Sequence, residues 1–384
     1  MTKEPNHLFF ELIRVSIGTQ EYLSRTPSSS EWMMLYDIAR KQSLLGVCFA
    51  GIQRLYKSDK ENHCGMCEML YFTWMGMTAK IQQRNCIVDE RCVELQRILS
   101  TNGFQTSILK GQGVARLYGE QLRGLRQSGD IDIYVKGGMK HVLDYCYKTF
   151  DKVNWDYINA HAPFYSDTEV ELHWRAQSIT NLYTNRRLQK WFQQHELSML
   201  QGNYANLECG KIVVPSIQFN AFYILLHCYH HMFESGLGLR QLMDYYFVLL
   251  HFLKQPELLG LTKLKDLYND FGMNKFASGI IWILWHVFDN ENPNSKLLIN
   301  KTILPDPNES EGHYLLREIM QNGNFGHHDE RRIIISNRWI QPFITRIQHN
   351  WHLFSRYPSE FFWAPVWLVY HYFWKKKKIR KYNY

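Results

Sequence analysis

The stretch Asp130-Ile131-Asp132-Ile133-Tyr134-Val135 restricts the fold of this 384-residue chain more than any other. Successive side chains of a strand point to opposite faces. As a strand it sends Ile131, Ile133 and Val135 into a core, while Asp130 and Asp132 share the other face. The two carboxylates would stand about 7 Å apart at Cα and repel one another unless a cation lies between them.

The neighbouring segments supply the rest of a sheet. Residues 106–110 read as a buried strand, 111–121 as a short helix and 139–150 as a second helix. Three strand-like pieces follow at 152–158, 162–166 and 169–174, with Ser166-Asp167-Thr168 as a turn joining the last two. On both sides of this region apolar residues recur at helical spacing. The expectation is an α+β fold: a helical region over 1–103, a small mixed-sheet core over 104–215, and a helical domain with a basic tail over 216–384.

Composition narrows the functional classes. At 45% hydrophobic residues the chain has ample material for a core. Six of the positive charges behind its net +8 fall at Lys375–Lys378, Arg380 and Lys381, so the body is nearly neutral. A broad nucleic-acid-binding surface is therefore not expected, and with it an RNA-tailing activity. The eight cysteines show no disulfide spacing and the N-terminus has no signal-peptide pattern, which points to a reducing, cytoplasmic setting.

Asp130 and Asp132 suit Mg²⁺, a hard cation held by few carboxylates plus substrate phosphates. A third carboxylate from the neighbouring strand, Glu169 or Glu171, would complete a two-metal site for displacement at phosphorus. The loop before the acidic strand fits the same use. Lys110, Gly111 and Gly113 open a helix whose backbone N–H groups could approach phosphate, and Arg123 and Arg126 could grip it or neutralise the aspartates.

These parts together resemble the DNA-polymerase-β-like nucleotidyltransferase superfamily. They are most similar to a bacterial family within it described as uncharacterised nucleotidyltransferases. The resemblance rests on Lys110-Gly111, Tyr118, Arg126, Asp130-Ile131-Asp132 and Glu171-Leu172-His173-Trp174, then on spaced histidines followed by Arg240 and Asp244. It implies transfer of a nucleoside monophosphate from a Mg²⁺-bound triphosphate, ATP by default, to an acceptor hydroxyl. Asp130, Asp132 and Glu171 would hold metal, and Glu171 would also act as base. Lys110, Gly111, Gly113, Arg126 and Arg240 would serve the nucleotide. Most superfamily members carry Gly-Ser at the helix start; this chain reads Lys110-Gly111-Gln112-Gly113, as the narrower family does. The acceptor, whether small molecule, sugar or protein, is open. The alternative is a nucleotide-binding or membrane-peripheral adaptor that keeps the fold without turnover.

Three other features have simpler explanations. His63-Cys64-Gly65-Met66-Cys67 offers one Cys-x-x-Cys pair without a second. His227 and His231 are four apart on a helix, a spacing that packing and hydrogen bonding account for. Residues 361–374 are almost wholly apolar or aromatic and run into a lysine cluster. They are too few to span a bilayer, but residues 361–381 could meet an anionic membrane surface at its inner, cytoplasmic face.

Overall fold

The computed structural model describes residues 3–58, 65–201, 203–255, 257, 263–324 and 351–382; His63 and Cys64 lie outside them. The fold is α+β, as expected, with a five-stranded mixed sheet, a separate two-stranded hairpin and helices. Two compact units divide the chain, and both are discontinuous in sequence. One takes residues up to Ile87, the insert Val114–Ser128 and the stretch from Gly236. The other takes Val88–Gly113, Gly129–Ser235 and the C-terminal helix.

The second unit carries the sheet, in the order β1-β2-β5-β4-β3. Its strands are β1 (Thr106–Ile108), β2 (Ile131–Val135), β3 (Asn154–Trp155), β4 (Asn159–His161) and β5 (Val170–His173). β2 and β5 are parallel, and the other pairs are antiparallel. One sheet face is apolar: Ile131, Ile133, Val135, Ala160, Val170 and Leu172 pack with Met139, Val142 and Leu143 of the helix Gly138–Thr149. Val88, Leu95 and Leu99, from the second half of the helix Glu68–Thr101, close that core.

The expected hairpin into β5 exists, but its first strand is Asn159–His161 rather than 162–166. Pro163 has no N–H to give a ladder, and pairing stops at the bond from Ala162 N to Val170 O. A further hairpin, β6 (Tyr204–Leu207) with β7 (Gly210–Val213), adds Ala205, Leu207 and Ile212 to the same core.

The helix Pro358–Tyr382 carries apolar residues on both its packed and its exposed faces. One stripe packs on the sheet unit. The Trp374 ring meets those of Trp155 (6.0 Å) and Tyr157 (4.8 Å), and Glu360 accepts from Thr180 (2.6 Å) and Tyr229 (2.8 Å). The opposite stripe, Phe362, Val366, Val369 and Phe373, is exposed and continues into Lys376, Lys377 and Arg380. No helix among the described residues is long and apolar enough to cross a membrane.

The first unit is helical. Its members include Ser29–Lys41, entered through a Ser28–Glu31 capping box, together with Leu239–Phe252, Asn274–Phe288 and Glu309–Asn322. The insert Val114–Ser128 belongs to it, so the chain leaves the sheet after Gly113 and returns at Gly129.

Candidate active site

Strand register alone builds a polar face opposite the core. Parallel pairing sets Asp132 beside Glu171 and Tyr134 beside His173; antiparallel pairing sets His161 beside Glu171 and Asn159 beside His173. Asp132, Glu171 and His173 each bring one potential ligand atom within 4.8 Å of the others. Asp130 lies one residue before β2 and is exposed. Glu169 is turned to His161 (2.9 Å), and Glu171 Oε1 stands 3.7 Å from the same imidazole.

Two cations sit among these carboxylates. Lys110 follows Leu109, whose N–H donates to the Asp132 carbonyl (2.9 Å), and its Nζ lies 2.9 Å from Asp132 Oδ2. His173 Nε2 lies 2.9 Å from Asp132 Oδ1 and 3.1 Å from Glu171 Oε2, while its Nδ1 faces the Arg175 carbonyl at 3.3 Å. Both ring nitrogens thus face acceptors, which favours the imidazolium. Burial opposes that charge, but the bonds to Asp132 and Glu171 outweigh it and raise the His173 pKa to about 9. Burial would also push Asp132 up. The charge of Lys110 and the bond and charge of His173 prevail, holding Asp132 well below the usual carboxylate range. Lys110 is raised for the matching reason: desolvation is outweighed by Asp132, Asp130 and Glu171.

The helix Ile217–Glu234, started by the Ser216 cap on Phe219 N (3.1 Å), adds a second layer. Lys110 Nζ reaches the His227 ring, 3.3 Å from Nε2, and the Gln177 amide meets His227 Nδ1 at 3.4 Å. Desolvation first, then the charge of Lys110, lowers the pKa of His227 and of His231 well below the ordinary imidazole value. Burial and then the charges of Asp132, Glu171 and Asp130 raise the phenol of Tyr223.

A family model described as uncharacterised nucleotidyltransferase matches residues 28–289. The chain belongs to that family. The match takes in parts of both units and ends well before the helix Pro358–Tyr382. No curated protein and no solved structure matches the chain significantly. Nucleotidyl transfer is thus the activity class of this family member.

Its donor set suits a hard divalent cation: the carboxylates of Asp132 and Glu171 lie side by side, with Asp130 at the mouth of the same strand. The other residues singled out in the sequence are placed differently. Gly111 has φ +53°, a conformation that favours glycine; a Cβ on Gly113 would lie 2.9 Å from Val214 Cγ1, so packing already demands that glycine. The helix they open, Gln112–Ala115, is a single turn and accumulates little dipole.

Arg126 is engaged within the helical unit. Its Nε and Nη2 donate to Asp244 Oδ1 (2.7 Å) and Oδ2 (2.8 Å), and Tyr118 OH donates to the same Oδ1 at 2.7 Å. Arg240 Nη1 donates to the Gln127 carbonyl (2.7 Å), and Asn85 donates to the carbonyls of Gly124 and Arg126 (both 2.8 Å). These bonds fix the end of the insert just before Gly129-Asp130. His173 was not singled out as a functional group from sequence. The signal was present, because it stands two residues after Glu171 and shares its face.

Proposed function

We propose that this protein transfers a nucleoside monophosphate from a Mg²⁺-bound nucleoside triphosphate to an acceptor hydroxyl, in a site of the DNA-polymerase-β-like kind. The observation that carries the proposal is the pairing of Asp132 with Glu171 across parallel strands, with Asp130 beside them. Asp130, Asp132 and Glu171 would hold the metal. When bound, such a metal supplies positive charge where the triphosphate oxygens gain negative charge.

The protein's own groups then have separable tasks. Lys110 and His173 keep the carboxylates together and stand beside the arriving phosphates. Glu171 Oε2 is held by Asn159 and His173, which leaves Oε1 as the atom to take a proton. The acceptor oxygen attacks the α-phosphorus as its proton passes to Glu171 Oε1. A new P–O bond forms, the α–β bridging P–O bond breaks, and pyrophosphate leaves with the electron pair. Gly111 lets the backbone turn sharply after Lys110. Arg126 and Arg240 act at one remove, by fixing the chain that leads into Asp130.

The test separates binding from chemistry. Glu171→Gln should lose about 10²–10⁴ of label transfer from α-³²P-labelled triphosphates to fractionated small-molecule extract, with a much smaller loss of magnesium ATP affinity because Asp130 and Asp132 remain. Equal transfer by the variant would remove Glu171 from the reaction.

A second, separable reading concerns the exposed stripe Phe362, Val366, Val369 and Phe373 with its adjoining cations. It supports peripheral contact with an anionic membrane, since apolar and basic groups share one face. Vesicles containing phosphatidylserine should sediment with wild type and not with Phe362→Ser/Phe373→Ser. Equal sedimentation would discard this reading.

A further inference from the structure

A pocket of about 740 Å³ opens in the sheet unit, on ground the proposed chemistry does not use. Its size is that of a small-molecule site. The lining contains three cations, Arg175, Arg186 and Lys190, and no aspartate or glutamate. Such a surplus of positive charge favours an anion.

Arg175 is the built element of the site. Its Nη1 donates to the Tyr157 carbonyl (2.5 Å), and its guanidinium lies 4.1 Å from the centre of the Tyr157 ring and 5.8 Å from that of Trp374. One carbonyl and two aromatic faces therefore set its direction, while a guanidinium has five N–H donors to offer. Arg186 and Lys190 stand one turn apart on the helix Leu182–Gln194, both exposed at the rim.

The pocket is joined to the acidic face by strand and by hydrogen bond. Tyr134 lines it and follows Asp132 by two residues on the same face of β2. Arg175 follows Glu171 by four residues, no more than about 14 Å of extended chain. Gln189, another lining residue, donates to the Gln177 carbonyl (2.8 Å). Gln177 meets His227, His227 meets Lys110, and Lys110 pairs with Asp132.

We infer that this pocket seats the acceptor by an anionic group, a phosphate ester or a carboxylate, and leaves its hydroxyl for Glu171. The inference deepens the nucleotidyltransferase reading and rests on it for the word acceptor; anion capture by the pocket does not. Tyr370, a further wall, comes from the helix Pro358–Tyr382 beyond the family match, so part of the pocket is outside the matched region.

The experiment is calorimetry on the full chain with glycerol 3-phosphate and with succinate, at matched ionic strength in sodium chloride, run beside magnesium ATP. Wild type should bind at least one of the two probes. Arg186→Glu/Lys190→Glu, on the exposed rim, and Arg175→Gln should each weaken that probe by about tenfold or more, as loss of charge-assisted bonds requires, with magnesium ATP affinity retained. Selective binding of glycerol 3-phosphate assigns a phosphate ester, and of succinate a carboxylate. The inference is overturned if neither probe binds wild type, if the rim variant binds as wild type does, or if binding is lost only in Lys110→Met. Should magnesium ATP fail to bind while a probe binds through the pocket, the nucleotidyl reading fails and the anion site stands.

Discussion

Two clusters of charge in this molecule both set cations against aspartate and come out differently. In the helical unit, Arg126 faces Asp244 through two parallel hydrogen bonds, and Tyr118 completes the carboxylate. Both members of the ion pair are buried. In the sheet unit, Lys110 and His173 meet Asp132, Glu171 and Asp130, so the anions are in excess and Asp130 is exposed. The closed pair is a structural tie. The open cluster is the one we propose to meet an incoming cation.

The sharpest way to break this comparison is to remove one carboxylate from each. Asp244→Asn leaves Arg126 buried without its partner and should cost about 3–5 kcal/mol of stability. Asp132→Asn should cost less, about 1.5–3 kcal/mol, because Lys110 and His173 keep Glu171 and Asp130. Urea unfolding of the two variants reads the order directly, and the reverse order would contradict the distinction.

Acid sharpens it next. His227 and His231 are neutral when folded, with pKa values depressed below the ordinary 6.5 by burial and then by Lys110. The charges of His230 and His173 push the same way, while Glu234 and Asp132 act against them on His231. The unfolded chain therefore binds more protons just below pH 6.5. The stability from these two groups is full above 6.5 and falls as the pH drops toward their folded values, by at most roughly 1.4 kcal/mol per histidine per pH unit. His227→Gln/His231→Gln should flatten the acid limb of a stability–pH curve. An unchanged limb would mean that these rings are charged in the fold.

The smallest effect is expected on the outer stripe of the C-terminal helix. Phe362→Ser and Phe373→Ser should each shift stability by no more than about 0.5 kcal/mol, since neither side chain is buried. A larger loss in thermal melts would show that the stripe is covered.

How much of this could be read beforehand depended on distance along the chain. The period-two pattern of β2 carries its own burial, so Ile131 and Ile133 inward with Asp132 outward needed no tertiary knowledge. His173 was equally readable from its offset to Glu171. The Arg126–Asp244 pair joins residues 118 apart, and Lys110 reaches His227 across 117, contacts that no local pattern encodes. The β6–β7 hairpin went unanticipated because four-residue strands alternate too briefly to stand out beside longer helical patterns. The interleaving of the two units is likewise a long-range property: nothing at Gly113 or Gly129 marks a passage between them.

The central claim, that the open cluster is a metal–triphosphate site, is tested most directly by thermal stabilisation. Each of the four nucleoside triphosphates is added with and without Mg²⁺ to wild type and to Asp130→Asn/Asp132→Asn. The account predicts a Mg²⁺-dependent rise in Tm for wild type with at least one triphosphate, absent in the double variant. A rise of equal size in the double variant, or no rise with any triphosphate in wild type, would contradict it.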